Sequence, residues 1–258
     1  MSDDRPPLHL HELGSPGGPP LLALHGLAGH GRRWRALDGR HPYRLLAPDL
    51  RGHGRSTSLP PWTLEQHAAD MLAVIDGLGL AAVPVVAHSF GAAVALHLLR
   101  LAPGRVSKLV LLDPSIGLRP ELALDGASQP EPLFGSRKQA WAEQRASWPA
   151  VVPDAAVDAE VHDNVGQVGK TWRFRYCPPA VVTAWSEMSR AAVLPSPGTP
   201  TLLVRALGQP YVSPAFVNGC RLALGSEFTL VNLDCGHMIY LERPAETAEL
   251  ITRFVGQG

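Results

Sequence analysis

The sequence predicts an α/β fold, with a mostly parallel central sheet, helices on both of its faces and a helical cap inserted between two strands. Three observations carry that prediction. Short apolar runs recur along the chain and alternate with amphipathic helical patterns, as in a parallel sheet covered on both sides. One of these runs, Val85-Val86-Ala87, passes through His88 straight into Ser89, and an apolar helical pattern follows from Val94 to Leu101. The rhythm breaks from about Ile116 to Gly198, a stretch rich in Pro and Ala that holds Trp141, Trp148, Trp172 and Trp185, four of the six tryptophans. Residues 1–115 and 199–258 are therefore read as the core, and 116–198 as a helical cap or lid.

Leu8 to Leu13 alternates apolar and polar residues as a strand does, and Gly14-Ser15-Pro16-Gly17-Gly18-Pro19 is a turn cluster. Leu21 to Leu24 reads as a buried strand ending at His25-Gly26. Tyr43 to Ala47 is the next, followed by the loop Pro48 to Ser56. Thr63-Leu64-Glu65-Gln66 is a capping box, which opens an amphipathic helix to about Gly79 with Met71, Leu72, Ile75 and Leu78 on one face. Pro84 stands at the mouth of the following strand, where a missing N–H is tolerable. Lys108 to Leu112, Thr201 to Val204 and Thr229 to Leu233 are further strands, and Pro244 starts a closing helix carrying Leu250, Ile251, Phe254 and Val255. Within the insertion, Ala155 to Val161 and Ala180 to Arg190 read as helices. Open α/β sheets bind ligands at the C-terminal edge of their strands, so a cap placed there would roof a pocket.

Composition narrows the partners. The 258 residues carry 23 basic and 23 acidic side chains, and a net charge of zero gives nucleic acid or an anionic membrane nothing to grip. Three cysteines, Cys177, Cys220 and Cys235, form no disulfide framework and no metal-ligand spacing, which favours a reducing compartment. The opening residues, Met1 to Pro7, are polar and carry no leader pattern, and no apolar run reaches the roughly 18 residues of a membrane span. A cytoplasmic protein acting on a small molecule, with no cofactor and no metal, is the expectation. The sequence leaves the oligomeric state open.

The strand–serine–helix layout is that of a nucleophile elbow, a sharp turn that lifts a hydroxyl to the sheet edge beside a helix N-terminus. The turn is crowded, so the positions two before and two after the serine must be small; here they are Ala87 and Gly91. The competing reading is a serine that only caps the next helix. A serine nucleophile needs a base, an orienting acid and oxyanion donors. His237 is the candidate base, because Gly236-His237 follows the last strand and precedes the closing helix. Phe90 N–H, directly after the serine, and Leu27 N–H, in His25-Gly26-Leu27-Ala28, are the candidate oxyanion donors, each worth about 3 kcal/mol in the transition state.

With these motifs in this order, the chain resembles the α/β-hydrolase superfamily over nearly its whole length. Leu24-His25-Gly26 is similar to that family's oxyanion strand-loop, and Asp49-Leu50-Arg51-Gly52-His53-Gly54-Arg55-Ser56 to its D-x-R-G-x-G-x-S loop. Ala87-His88-Ser89-Phe90-Gly91 is similar to its G-x-S-x-G elbow, with alanine at the first glycine, and Gly236-His237 with Glu242-Arg243-Pro244 to its catalytic-histidine loop. The resemblance implies a mainly structural role for Asp49, Arg51 and His53. It also implies an acid after the strand that follows the cap, but Leu207-Gly208-Gln209-Pro210 has none there. Asp113, at the neighbouring strand end, is the preferred acid. Asp234, an acid from the cap, and a Ser–His dyad stay open. His25, Trp141, Trp172 and Trp185 are candidate substrate-binding residues, with packing as the alternative for the tryptophans.

The expected activity is that of a serine hydrolase acting on a small, fairly apolar ester, thioester or lactone. A carbon–carbon bond hydrolase, or a non-hydrolytic binding, lyase or oxygenase protein on the same scaffold, is the alternative. Serine at the elbow argues against a haloalkane dehalogenase or epoxide hydrolase, which the resemblance would give an aspartate there. The whole reading requires residues 89 and 237 to meet.

Overall fold

A computed structural model describes residues 8–257; the polar opening segment, 1–7, lies outside them. Strands β1 (Leu10–Gly14), β2 (Pro20–Leu24), β3 (Arg44–Pro48), β4 (Val83–His88) and β5 (Val106–Leu112) alternate with α1 (Leu64–Gly77) and α2 (Phe90–Leu101). After β5 come α3 (Pro120–Ala127), β6 (Leu133–Phe134), α4 (Arg137–Ser147), α5 (Asp154–Asn164), β7 (Val165–Val168), β8 (Thr171–Phe174) and α6 (Pro178–Met188). The chain closes with β9 (Thr201–Ala206), α7 (Pro214–Leu224), β10 (Phe228–Leu233), α8 (Ile239–Glu242) and α9 (Pro244–Gly256).

The main sheet has seven strands in the order β1-β3-β2-β4-β5-β9-β10, all parallel except β1, which runs antiparallel to β3 at one edge. Alternate strand residues divide between two apolar layers, because successive side chains leave opposite faces. Leu22, Leu24, Val85, Ala87, Leu109, Leu111 and Leu203 pack with α1, α2 and α7 through Met71, Leu98 and Phe216. Leu21, Ala23, Val86, Val110, Leu112 and Val204 pack on the other side against Trp34, Tyr240, Leu250 and Ile251. The capping box closes as expected: Thr63 accepts a hydrogen bond from Gln66 N at 3.2 Å.

The insertion departs from an all-helical expectation. It holds four helices and a three-stranded antiparallel sheet, β6-β8-β7. Trp172 and Phe174 on β8 turn one face onto Phe134, Ala140, Val161 and Val165. Segment 116–198 touches the loops at the C-terminal ends of β2 and β3. Gly54 N donates to Arg175 O at 2.6 Å and Cys177 N to Gly52 O at 2.7 Å. Glu160 of α5 is buried between Arg33 (2.6 Å) and His30 (3.1 Å), and Asn164 donates to Ala28 O at 3.1 Å. Among the described residues no helix is long and apolar enough to cross a membrane.

Candidate active site

Ser89 sits at the tip of β4 with φ 53° and ψ −118°, a left-handed backbone that non-glycine residues adopt at a cost of about 1–3 kcal/mol. Sterics around it explain the small neighbours. A Cβ on Gly91 would come within 2.6 Å of the Leu24 and His25 carbonyl oxygens, and one on Gly26 within 3.1 Å of Ser89 Cβ. Ala87 fits with no exposed surface. Ser89 occupies the N-cap of α2, yet its hydroxyl makes no capping bond; Oγ pairs instead with Ser115 Oγ at 3.1 Å. The capping alternative therefore fails. Ser115 is a residue that sequence reasoning missed, since only the fold brings it under the serine.

Asp113 stands on the adjacent strand end. The β4–β5 register sets His88 opposite Leu112, and Ser89 N donates to Leu112 O at 3.1 Å, so residues 89 and 113 leave the sheet side by side. Asp113 is fully buried with φ 40°. Its Oδ1 accepts from Ala206 N at 3.1 Å, and its Oδ2 accepts from His237 Nδ1 at 2.6 Å. The carboxylate thus leans over the end of β9, where the sequence offers no acid. Asp234 is exposed, and among the described residues its side chain makes no hydrogen bond; its carbonyl accepts from Arg243 at 3.0 Å.

His237 is held on several sides. Gly236 N donates to the buried Glu242 carboxylate at 2.8 Å, which leaves no room for a side chain at 236. The His88 ring donates through Nε2 to His237 O at 2.8 Å and lies 4.6 Å from the His237 ring, centroid to centroid. Tyr211 packs on the same ring at 4.4 Å. His88 is a second residue that motif reading passed over, because it occupies a variable position of the elbow. Burial, then the neighbouring His237, pushes the His88 pKa well below the ordinary histidine value, so it is a neutral donor. Among the described residues no hydrogen bond joins Ser89 to His237: the serine hydroxyl pairs with Ser115 and the histidine with Asp113.

The two expected oxyanion donors come from separate segments, Leu27 from the loop after β2 and Phe90 from the first residue of α2. Neither Leu27 N–H nor Phe90 N–H finds an acceptor among the described residues, and Ala28, with φ 55°, turns the loop behind Leu27. Phe90 N also opens α2, so the helix dipole adds positive potential at that spot.

A sequence profile described as "Alpha/beta hydrolase family" matches residues 21–250. The chain belongs to that family. Lipase LipV of Mycobacterium tuberculosis (strain ATCC 25618 / H37Rv) is 38% identical, with 96% of this chain and 98% of LipV covered. The mouse (Mus musculus) sn-1-specific diacylglycerol lipase ABHD11 is 26% identical over 92% of this chain and 81% of its own. Among solved structures, E-2-(acetamidomethylene)succinate hydrolase superposes with a TM-score of 0.82 at 22% identity, covering 96% of this chain and 95% of that one, a likeness of fold. With its family and its lipase relatives, the chain is a hydrolase.

The alpha/beta-hydrolase loop from Asp49 to Ser56 is built as a scaffold. Asp49 accepts from Gly31 N at 2.7 Å and Arg55 N at 2.8 Å, and Arg51 forms a two-pronged pair with Asp70 at 2.7 Å on each arm. His53 donates to Arg51 O at 3.0 Å. The four candidate substrate-binding residues all have partners within the fold. His25 is fully buried with both nitrogens used, Nδ1 donating to Gly26 O at 2.7 Å and Nε2 accepting from Leu50 N at 2.9 Å. It rivets two loops, with no ring nitrogen left over. Trp141 donates to Asp158 at 2.7 Å and Trp172 stacks under Arg137, both packed on the small sheet. Trp185 fills the space over Gly126 of α3. Among the described residues none of the four rings bonds or stacks with Ser89, Asp113 or His237. Cys235, beside the histidine, is an inert thiol, pushed up to about 11 by burial.

Proposed function

We propose that the chain is a serine hydrolase of small, fairly apolar esters, thioesters or lactones, with Ser89, His237 and Asp113 as its triad and Leu27 and Phe90 N–H as its oxyanion hole. The observation that carries this reading is the 2.6 Å bond between His237 Nδ1 and the fully buried Asp113 carboxylate. A carboxylate only accepts, so Nδ1 bears the proton and Nε2 is left bare to act as base. Ser89 Oγ leaves Ser115 and gives its proton to Nε2 as the oxygen attacks the carbonyl. The exchange gives up one neutral hydrogen bond, about 1 kcal/mol. Negative charge then builds on the carbonyl oxygen, where the two N–H groups have no competing acceptor. His237 returns the proton to the leaving group, and a water molecule repeats the sequence to free the acyl chain.

Residues 116–198 act in this reading as the cap, supported by their bonds to the loops after β2 and β3. The lipase relatives, LipV and ABHD11, support an ester carbonyl as the target. A fluorophosphonate probe tests the proposal together with Ser89→Ala. Stoichiometric labelling of Ser89 is expected, with kcat on a p-nitrophenyl ester falling about 10⁴-fold or more in the variant. Absence of labelling, or near-normal turnover by Ser89→Ala, would overturn it and favour a binding protein on this scaffold.

A further inference from the structure

At the β1 edge of the sheet, remote from the serine in the strand order, three metal-ligating side chains converge. The antiparallel register sets Leu10 opposite Pro48, and Asp49 N donates to His9 O at 2.8 Å. His9 and His11 are two residues apart on extended chain, so both rings leave the same face, toward Asp49. Their centroids are 4.5 Å apart and the rings nearly perpendicular at 80°. His11 Nε2 already reaches Asp49 Oδ1 at 3.0 Å, and one ligand atom from each of the three residues lies within 4.8 Å of the others. Donor atoms on a tetrahedral ion about 2.1 Å away stand roughly 3.4 Å apart, so side-chain adjustments of about 1 Å close the set.

We propose that His9, His11 and Asp49 form a divalent transition-metal site, taking Zn²⁺, Co²⁺ or Ni²⁺ with water in the remaining position. Two imidazoles with one carboxylate suit these borderline ions and not Ca²⁺ or Mg²⁺, which demand oxygen ligands. The acid is fixed in advance: Gly31 N and Arg55 N hold the Asp49 carboxylate, as outer-shell partners of metal ligands do. An ion would replace the proton that His11 shares with Asp49. The nearby cations are Arg55 and Arg32, and Arg32 is paired with Asp163 at 3.1 Å. The bound ion would staple the N-terminal edge strand to the loop that continues into Arg51 and His53.

Co²⁺ titration of the untagged, full-length chain tests this, read by visible d–d absorption and by calorimetry. One equivalent is expected to bind, with an imidazole-containing tetrahedral or five-coordinate spectrum. At a hundredfold excess over Kd the melting temperature should rise by about 5 °C or more. His9→Gln leaves the Asp49–His11 bond intact and folds; it should weaken binding by about tenfold or more, as even outer-shell losses do. His11→Gln should behave alike. Binding weaker than about 1 mM, or binding unchanged in His9→Gln because the ion sits on a cysteine or elsewhere, overturns the proposal.

Discussion

Asp113→Asn is the most demanding test of the site, because the structure dictates how the variant fails. Asparagine tolerates the left-handed backbone that residue 113 adopts (φ 40°) and has nearly the same volume, so the fold should survive. The wild-type carboxylate accepts twice, from Ala206 N and from His237 Nδ1. An amide accepts at one atom and donates at the other. With its NH₂ toward Ala206 N–H, two donors would face each other in a fully buried place, at about 1–3 kcal/mol. The amide therefore keeps its oxygen on Ala206 and turns its NH₂ to His237. That contact requires Nδ1 bare and the proton on Nε2, the tautomer that cannot take the proton of Ser89. The expected loss in kcat for a p-nitrophenyl ester is 10²–10⁴-fold, about 2.7–5.4 kcal/mol of barrier. Activity should be measured beside a urea unfolding curve, with Asp234→Asn as control. Turnover within fivefold of wild type in a folded Asp113→Asn variant, or a crippled Asp234→Asn, would refute the reasoning.

The other predictions concern positioning, packing and pH. His88→Phe keeps a ring but deletes the donor to His237 O, so kcat should fall about 10–100-fold with KM little changed; equal kinetics would dismiss the contact. Glu160→Gln strands the buried Arg33 guanidinium and should lower unfolding free energy by about 3–5 kcal/mol in urea, whereas a loss under 1 kcal/mol would mean the pair is solvated. Acid should destabilise the fold before the carboxylates titrate. Burial holds His53 down to about 4 and His67 to about 3, with His25 and His88 also lowered. Below about pH 6.5 the unfolded chain binds those protons and the folded chain does not, so the stability present above 6.5 is lost as pH falls toward 4. The slope per group is up to about 1.4 kcal/mol per pH unit. Urea midpoints at pH 7.5 and 5.5 measure it, and His67→Leu should flatten the dependence.

Much of the core was legible because parallel strands buried on both faces read as continuous Val, Leu and Ala runs. The elbow was legible for a different reason: crowding at Ser89 restricts its neighbours to residues such as Ala87 and Gly91. The orienting acid was only half legible. Asp113, Asp234, an acid from the cap and a Ser–His dyad were all open in sequence, and the proposal of Asp113 rests on its bond to His237 and on the β5–β9 register, which sets Leu112 opposite Val204 and brings Asp113 to Ala206 N. Ser115 and His88 carried no signal, since their partners are set by where separate strand ends meet. The small sheet hid in Trp172-Arg173-Phe174, four-residue strands whose alternation also fits a loop. The pairing of Glu160 with His30 spans 130 residues of sequence and has no local trace at all.

The ion-paired junction between α5 and the loop after β2 bears on how such enzymes are re-engineered. Excising segment 116–198, or grafting another in its place, would abandon Arg33 and His30 without their acid and withdraw the amide that steadies Ala28. A chimera would need to import a glutamate and an asparagine one helical turn apart, facing that loop, or else shed the arginine. Segment 116–198 is therefore not freely interchangeable with its counterpart in another chain of this fold; the seam has to travel with the tile.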